Sequence, residues 1–506
     1  MTQRLRRESP ATSFHPGIDR SGPIPAVRQL YLRLRDAIME GVLEPGSRLP
    51  STRIAAVEWT LSRGLVAEAY DLLIAEGYAE SRHGSGTYVI SGLPPELLGR
   101  TLRAREDNAK VERRVSVLAA TAQRYASPLL DRSVAFATGR VVHDARTAGL
   151  LRRIALRHVD FRSNIYRDPQ GEPDLRSAIA RHVSTSRGVR CAADQVFVTS
   201  GSQQALDLAC RVLVTPGEAM LVEDPCYPPA RQVFAMNGAA LVGLPVDAGG
   251  IVTAALKQAS RSRPAALYVT PSHHYPTGAV LPLSRRLQLL QFASANGCWI
   301  VEDDYDSEFR YEGHPIASLQ GLDEAGRVIY VGTFSKALLP GLRIGYLIAP
   351  PDLVPAFRAV RPALDVSPVL LSQMIVADFL NEGYFPAHLR RIRERYRGSR
   401  DRLVDLLRHR LGDHLLIDRP EQGIYLTARS TGTWRDDVAV ADSAKARGVT
   451  VLPTSPMFLS EPRGESLILG FSGLSDEEAD VATRRLAEVF RLEATHRACP
   501  APRACG

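Results

Sequence analysis

One lysine of this chain stands where a reactive amine would be expected. The sequence holds 63 lysines and arginines, yet only four of them are lysine, and one of the four is Lys336. It ends the segment 333–336 and follows the apolar run 328–331. Arginine stays charged and cannot attack a carbonyl, whereas a desolvated lysine can lose its proton and form a Schiff base. The carbonyl partner that this pattern indicates is pyridoxal phosphate, and the alternative is an ordinary surface lysine.

Polar side chains follow other apolar runs in the same part of the chain. A glycine turn with hydroxyls at 199–205 opens a predicted helix, and such an N-terminus can bind phosphate. Tyr227 offers a face on which a pyridine ring could stack. Asp303 and Tyr305 bring a carboxylate and a phenol together, and a carboxylate keeps a pyridine nitrogen protonated. Arg343 is a candidate phosphate clamp. Taken singly, these residues could equally be a helix cap, a packing aromatic, an acidic turn or metal site, and a solvated arginine.

A sheet is needed to bring these residues together. From about residue 131, short apolar runs alternate with amphipathic helices, which predicts a mainly parallel sheet with helices on both faces. Ligands of such sheets collect at the C-terminal ends of the strands. The predicted strands are 195–198, 219–222, 266–269, 299–301, 328–331 and 344–348.

A helix-turn-helix pattern precedes the sheet, at residues 26–90. The spacing of Leu30, Leu34 and Ile38 predicts one face of a first helix. Ser51 or Thr52 can cap a second helix, and Ser62 can cap a third. We expect the inner face of the third helix to hold Leu65, Ala69, Leu72 and Leu73. Two β-prone runs around a basic, glycine-rich turn then predict a hairpin wing.

This unit has side chains suited to DNA. A third helix of this kind enters the major groove with its N-terminus first, where Ser62 and Arg63 lie, and Arg63 could pair with a guanine edge or a phosphate. Arg53, Arg82 and Gly84 are expected to contact the DNA backbone. A net charge of +8 permits a polyanionic partner. The alternative is a packing module that never meets DNA.

Composition restricts the remaining classes. No apolar stretch approaches the roughly 20 residues of a membrane span, and the N-terminus lacks the pattern of a secretory signal. The six cysteines are dispersed, which indicates reduced thiols in a cytoplasm. Neither a G-x-S-x-G nor an H-E-x-x-H motif supports a hydrolase.

Several segments carry a resemblance to a known family. Residues 49–53, 61–63, 69–78 and 84–87 resemble the GntR-type winged helix, with a departure at Gly64-Leu65. The order of phosphate loop, aromatic, Asp/Tyr, Lys and Arg along the strands resembles fold-type I aminotransferases. Together they resemble the MocR-type subgroup of GntR regulators, most specifically at 166–171, 271–278 and 302–311.

The resemblance implies the fold and the domains. The expected fold is an N-terminal winged helix-turn-helix, mainly α with a β wing, joined to an α/β PLP-dependent transferase fold (aminotransferase fold type I). The expected domains are a DNA-binding domain at 20–92, a linker at 93–130, a pyridoxal-phosphate-binding effector domain at 131–496 and a disordered tail at 497–506.

The resemblance also implies roles for single residues. Lys336 would hold the cofactor as an internal aldimine, with Asp303 at the ring nitrogen, Tyr305 at the ring hydroxyl and Tyr227 stacked on the ring. Tyr166 would reach the cofactor phosphate of a partner subunit, which implies a homodimer. His273 would lie near the ring without an assigned chemistry. The residues around the phosphate would be Ser202, Gln203, Thr333, Ser335 and Arg343.

These roles predict a bacterial, cytoplasmic transcriptional regulator that binds operator DNA, at the nucleoid, and senses an amine or amino-acid-like effector by aldimine exchange at Lys336. Ile468 stands where such aminotransferases carry an arginine for the substrate carboxylate. The effector therefore either lacks an α-carboxylate in the usual pose or is held by another arginine, such as Arg231, and at most weak transaminase activity is expected. The alternatives are a working aminotransferase with a DNA-binding appendage and a cofactor-free dimerisation scaffold.

Overall fold

The chain forms two compact units, residues 1–114 and 115–506. The computed structural model describes residues 14–92, 115–125, 134–142, 144–159, 166–314 and 316–498, with side chains as far as Arg491. Most of the predicted linker and nearly all of the predicted tail lie outside these residues, so the finer domain boundaries stay predictions.

The first unit has three helices followed by a two-stranded hairpin. Ser51 caps the second helix through the N–H of Ile54, and Ser62 caps the third through the N–H of Leu65. Both caps satisfy N–H groups that a helix start leaves without a partner. The hairpin strands pair antiparallel from Ala79 to Val89. The elements are α1 (Ala26–Met39), α2 (Thr52–Glu58), α3 (Arg63–Ala75), β1 (Ala79–Arg82) and β2 (Gly86–Val89).

The buried face of α3 differs from the prediction at two of its four residues. The structure buries Val66, Ala69, Tyr70 and Leu73, whereas Leu65 and Leu72 are half-buried. The buried set follows the spacing i, i+3, i+4, i+7 of a helix face against α1. The sequence prediction missed this shift because Tyr70 is amphipathic, and its hydroxyl donates to the carbonyl of Pro50 at 3.0 Å. The predicted face of α1 is confirmed, since Leu30, Leu34 and Ile38 are buried.

The second unit is built on an eight-stranded sheet in the order β3-β10-β9-β8-β7-β4-β5-β6. Strands β4, β5, β7, β8 and β9 are parallel, and β10 runs antiparallel between β9 and β3. All six predicted strands are present, and the fold class is confirmed. The strands are β3 (Val196–Thr199), β4 (Ala219–Asp224), β5 (Ala240–Asp247), β6 (Gly250–Ile251), β7 (Ala266–Val269), β8 (Trp299–Asp304), β9 (Val328–Thr333) and β10 (Gly345–Ile348).

Helices cover both faces of this sheet. Along β3, Val196 and Val198 belong to one hydrophobic core, and Phe197 belongs to another. This alternation is expected of strands that are buried on both faces. The helices are α4 (Val117–Arg124), α5 (Ala145–His158), α6 (Pro173–Arg187), α7 (Ser202–Leu213), α8 (Pro228–Met236), α9 (Leu256–Ala259), α10 (Leu283–Asn296), α11 (Leu319–Leu322), α12 (Val354–Val360), α13 (Pro362–Asp365) and α14 (Leu370–Asn381).

A smaller antiparallel sheet follows in the chain and shares the larger core. Its strand order is β11-β12-β14-β13. The strands of this sheet and the helices of the same region are α15 (Tyr384–Leu411), β11 (Leu415–Ile417), β12 (Tyr425–Ser430), α16 (Asp437–Lys445), β13 (Leu452–Pro453), β14 (Ser466–Gly470) and α17 (Asp476–Ala498). Across the described part of the chain, no helix is both long and apolar enough to cross a bilayer.

Candidate functional site

Lys336 lies in the turn that follows β9. The turn is held by hydrogen bonds from the N–H of Ser335 to the hydroxyl of Thr333, at 3.1 Å, and from the N–H of Phe334 to the carbonyl of Ile344, at 3.0 Å. Lys336 is half-buried there. The turn thus fixes the backbone at this lysine close to the strand ends.

Asp303 lies near the end of β8, the strand that pairs with β9, and the charge of Lys336 acts on its carboxylate. The hydroxyl of Tyr268 donates to its Oδ2 at 2.9 Å, while its Oδ1 is buried without a hydrogen-bond partner among the described residues. Burial raises the pKa of Asp303 to about 7, and the Tyr268 hydrogen bond and the charge of Lys336 oppose that rise. A buried acceptor without a donor is unfavourable, so Oδ1 marks a place where a ligand N–H would be stabilised.

Tyr305 lies in an aromatic cluster beside Asp303. Its hydroxyl donates to the carbonyl of His273 at 2.9 Å and lies 3.0 Å from the hydroxyl of Tyr425. Burial raises the pKa of Tyr305 well above its ordinary value, so the phenol keeps its proton at neutral pH. Because Tyr425 comes from β12, this contact ties the small sheet to the strand ends of the large sheet.

His273 is fixed from several sides. Its Nδ1 lies 2.8 Å from Oδ2 of Asp306, and both side chains are buried. Gly423 packs against the imidazole so closely that a Cβ there would come within 2.1 Å of the ring. With φ of +88°, Gly423 also has a backbone conformation that favours glycine. His273 is thus immobilised by two elements that are far apart in sequence.

Tyr227 stands at the start of α8. Its ring makes an edge contact with Tyr275 at 5.1 Å between centroids, and Tyr275 contacts Tyr305 at 6.4 Å. Tyr227 therefore belongs to the same aromatic cluster as Tyr305, as the predicted site requires.

The N-terminus of α7 forms an open cradle. Gly201 precedes it with φ of +93°, and no side chain of the described residues caps the helix. Arg343 donates through Nη2 to the carbonyl of Ser200 at 2.6 Å, which holds the guanidinium over Gly201. A Cβ on Gly345 would lie 2.5 Å from the Gly201 backbone, so glycine is needed for the close approach. Uncapped N–H groups beside an arginine suit a phosphate.

Other predicted phosphate residues are placed around this cradle. Ser202 and Gln203 form the first turn of α7, and Thr333 and Ser335 lie at the end of β9 next to Lys336. In the present structure the side-chain amide of Gln203 donates to the carbonyl of Pro229 at 2.6 Å. Tyr166 is 83% exposed.

These residues fit pyridoxal phosphate. The acceptor without a donor on Asp303, the uncapped start of α7 beside Arg343, and a lysine at the strand ends match the ring nitrogen, the phosphate and the aldehyde of that cofactor.

Glu223 and His274 form a second buried pair, and Glu223 interacts electrostatically with Asp303. The N–H and hydroxyl of Thr270 both donate to Oε2 of Glu223, at 2.9 and 2.6 Å. Burial raises the pKa of Glu223 to about 8 and lowers the pKa of His274 to about 3. At pH 7 both groups are therefore largely neutral, so they add little charge beside Asp303.

Arg231 and Ile468 have different surroundings. Arg231 is buried, and its guanidinium donates at 3.0 to 3.2 Å to main-chain carbonyls of the segment 456–458. Ile468 is opposite Thr427 in the β12–β14 register, and Thr427 is two residues from Tyr425. Side chains two residues apart on a strand share a face, so Ile468 lies on the face of the small sheet that carries Tyr425.

The residues predicted to contact DNA all lie in the first unit. Arg53, Ser62, Arg63, Arg82 and Gly84 are exposed. Arg63 Nε donates to the hydroxyl of Thr52 at 3.5 Å, which links the starts of α2 and α3. Arg82 pairs with Glu80 and covers the ring of Tyr88 at 4.4 Å.

The sequence analysis missed several members of the site. Tyr268 was visible only as part of a strand, and its place on the Asp303 side depends on the β7–β8 register. Tyr425 and Gly423 come from a region where no strand was predicted. Tyr275 and Asp306 lie in motifs already singled out, so their neighbours could have indicated them.

Comparisons with known proteins match both units. The family "Aminotransferase class I and II" matches residues 134–486, and "Bacterial regulatory proteins, gntR family" matches residues 26–89. The probable rhizopine catabolism regulatory protein MocR of Rhizobium meliloti is 39% identical over 96% of this chain and 99% of its own length. The HTH-type transcriptional regulator TauR of Rhodobacter capsulatus is 36% identical over 74% of this chain and 78% of its own length.

A solved structure matches the second unit. It is LysN, an α-aminoadipate aminotransferase from Thermus thermophilus complexed with N-(5'-phosphopyridoxyl)-L-leucine. Its TM-score is 0.67 at 29% identity, with 76% of this chain and all of that chain covered.

Proposed function

This chain belongs to the MocR-type transcriptional regulators of the gntR family, which join a winged helix to an aminotransferase class I and II domain, and from that premise we propose that it senses an amine at Lys336. Lys336 would hold bound pyridoxal phosphate through its amine, an effector amine would compete with Lys336 for the cofactor, and DNA binding would respond. One amine replaces another, so the exchange needs neither an oxidant nor a reductant.

A single observation carries the proposal: the charge of Lys336 acts on Asp303, whose buried Oδ1 has no donor among the described residues. When bound, pyridoxal phosphate supplies an aldehyde that primary amines attack and a protonated ring nitrogen that would donate to Oδ1. The N-terminus of α7 and Arg343 would hold the phosphate, with Ser202, Gln203, Thr333 and Ser335 around it. Tyr305 would donate to the ring hydroxyl, Tyr227 would stack on the ring, and His273 would support Tyr305.

The effector pocket lies between the two sheets. Ile468 presents an apolar side chain on the face that carries Tyr425, where a carboxylate would find no charged partner. Arg231, one helical turn after Tyr227, is the cation that could take an anionic group. We propose an amine or amino-acid-like effector, with its anionic group, where it has one, directed to Arg231.

The same pocket bears on whether the chain catalyses transamination. Transamination needs a substrate held in one pose through successive proton transfers, and much of the rate comes from that positioning. Without an arginine at 468 we propose at most weak transaminase activity. We also propose that the chain acts as a homodimer on operator DNA in the bacterial cytoplasm, with Tyr166 reaching the partner's site.

The test compares two lysines. Lys336→Ala is expected to abolish the visible absorbance of the bound cofactor and the response of DNA binding to amines. Lys257→Ala, which removes an exposed lysine, is the matched control and should change neither. A panel of primary amines is titrated into both proteins, with absorbance and operator affinity followed together. An unchanged spectrum and an unchanged amine response in Lys336→Ala would refute the proposal.

A further inference from the structure

Helix α4 lies on the surface of the second unit. It has eight residues, and none of them is buried. Val117 is 82% exposed and Leu118 is 50% exposed. An isolated helix of this length is not stable in water, so its contacts with the rest of the unit must hold it in place.

Those contacts are made with α8, the helix that begins next to Tyr227. The side-chain amide of Gln232 donates to the carbonyl of Ala122 at 3.2 Å. The guanidinium of Arg231 lies over the ring of Tyr125 at 5.3 Å, within the range of a cation–π contact. Tyr125 follows the last residue of α4 and is half-buried.

Arg231 joins α4 to the site. Its N–H donates to the carbonyl of Tyr227 at 3.2 Å, and its side chain donates to the carbonyls of the segment 456–458. Its Nε is buried without a hydrogen-bond partner in the described structure. The acceptors around this cation are dipoles of the main chain, so an anionic group would be a stronger partner.

We propose that Tyr125 is a residue of the effector site, and that an effector with an anionic group competes with Tyr125 for the Arg231 guanidinium. This inference rests on the proposed function, because it concerns the same pocket. When the anion binds, Arg231 turns from Tyr125 and α4 leaves α8. Since α4 is the first described helix after the DNA-binding unit in the chain, we expect its undocking to alter DNA affinity.

The test uses two loosening variants and one control. Tyr125→Ala removes the ring over Arg231, and Gln232→Ala removes the hydrogen bond to Ala122. Val117→Ala shortens an exposed side chain of the same helix and is the control. Hydrogen exchange at 117–124 is measured in the cofactor-loaded full chain, with duplex DNA from upstream of its own gene as the binding probe.

We expect exchange at 117–124 to rise about threefold to thirtyfold in Tyr125→Ala, the range that a cation–π contact supplies. Affinity for the DNA should change in the same direction in both loosening variants, and cofactor affinity should not change. Wild-type exchange in Tyr125→Ala overturns the inference, and so does faster exchange with unaltered DNA affinity. The proposed function fails separately, through Lys336→Ala, so the two failures are distinguishable.

Discussion

Asp303→Asn is the substitution whose effect the structure defines most closely. Burial raises the pKa of this carboxyl from 3.8 to about 7, so the folded protein takes up its proton more readily than the unfolded chain. Stability from this group is therefore fully present below pH 4 and is lost as pH rises through 7. The loss between pH 6 and pH 8 is about 1 kcal/mol, out of a total of roughly 4 kcal/mol at pH 8. Asparagine does not titrate and still accepts from Tyr268.

The assay is thermal unfolding of the cofactor-free proteins at pH 6, 7 and 8. The melting temperature of Asp303→Asn relative to wild type should rise by about 2 °C from pH 6 to pH 8. With pyridoxal phosphate bound, we expect Asp303→Asn to be less stable than wild type. The variant loses a charge-assisted hydrogen bond to the cofactor of about 1.5–3 kcal/mol, or roughly tenfold to a hundredfold in cofactor affinity. Parallel pH profiles together with equal cofactor affinities would refute the reasoning.

Two further substitutions test the packing at His273 and the contact of the wing with DNA. Gly423→Ala and the control Gly464→Ala share a positive φ, which costs about 1–2 kcal/mol in each, but only the Cβ at 423 meets the His273 ring. Gly423→Ala should therefore be less stable by a further 1–3 kcal/mol or so in urea unfolding, and equal losses would contradict the described packing. Arg82→Ala should lower the slope of log affinity for DNA against log salt by about 0.9, whereas Arg429→Ala, exposed in the other unit, should leave it unchanged. An unaltered slope in Arg82→Ala means that this wing arginine contacts no phosphate.

The sequence predicted most of the scaffold because local patterns define it. The apolar runs at 266–269 and 328–331 became central strands, since a strand buried on both faces needs a continuous apolar run. The cap at Ser62 was also local, because the four residues 62–65 contain both the hydroxyl and the N–H from which it accepts a hydrogen bond. The lysine at the end of β9 could be selected because the chain uses arginine almost everywhere else.

The parts that the sequence did not indicate depend on long-range pairing. Tyr425 reaches Tyr305 only because β12 lies inside a four-stranded sheet whose strands have two to six residues. Such short strands give too little periodicity to be detected. The absent donor at Oδ1 of Asp303 is likewise a property of the assembled site, since it follows from burial and from which oxygen Tyr268 reaches.

The free energies of the contacts around the site are small, which suits a regulator better than a rigid catalyst. A tenfold change in DNA affinity needs only about 1.4 kcal/mol of difference between two states. The contact of Tyr425 with Tyr305 is a single hydrogen bond of about 1 kcal/mol, and Arg231 makes three hydrogen bonds to the segment 456–458. The Tyr125 contact on Arg231 has the same scale. An amine that engages the site needs to exchange only one or two of these contacts to move the equilibrium, and the buried cores on either side of the large sheet stay intact.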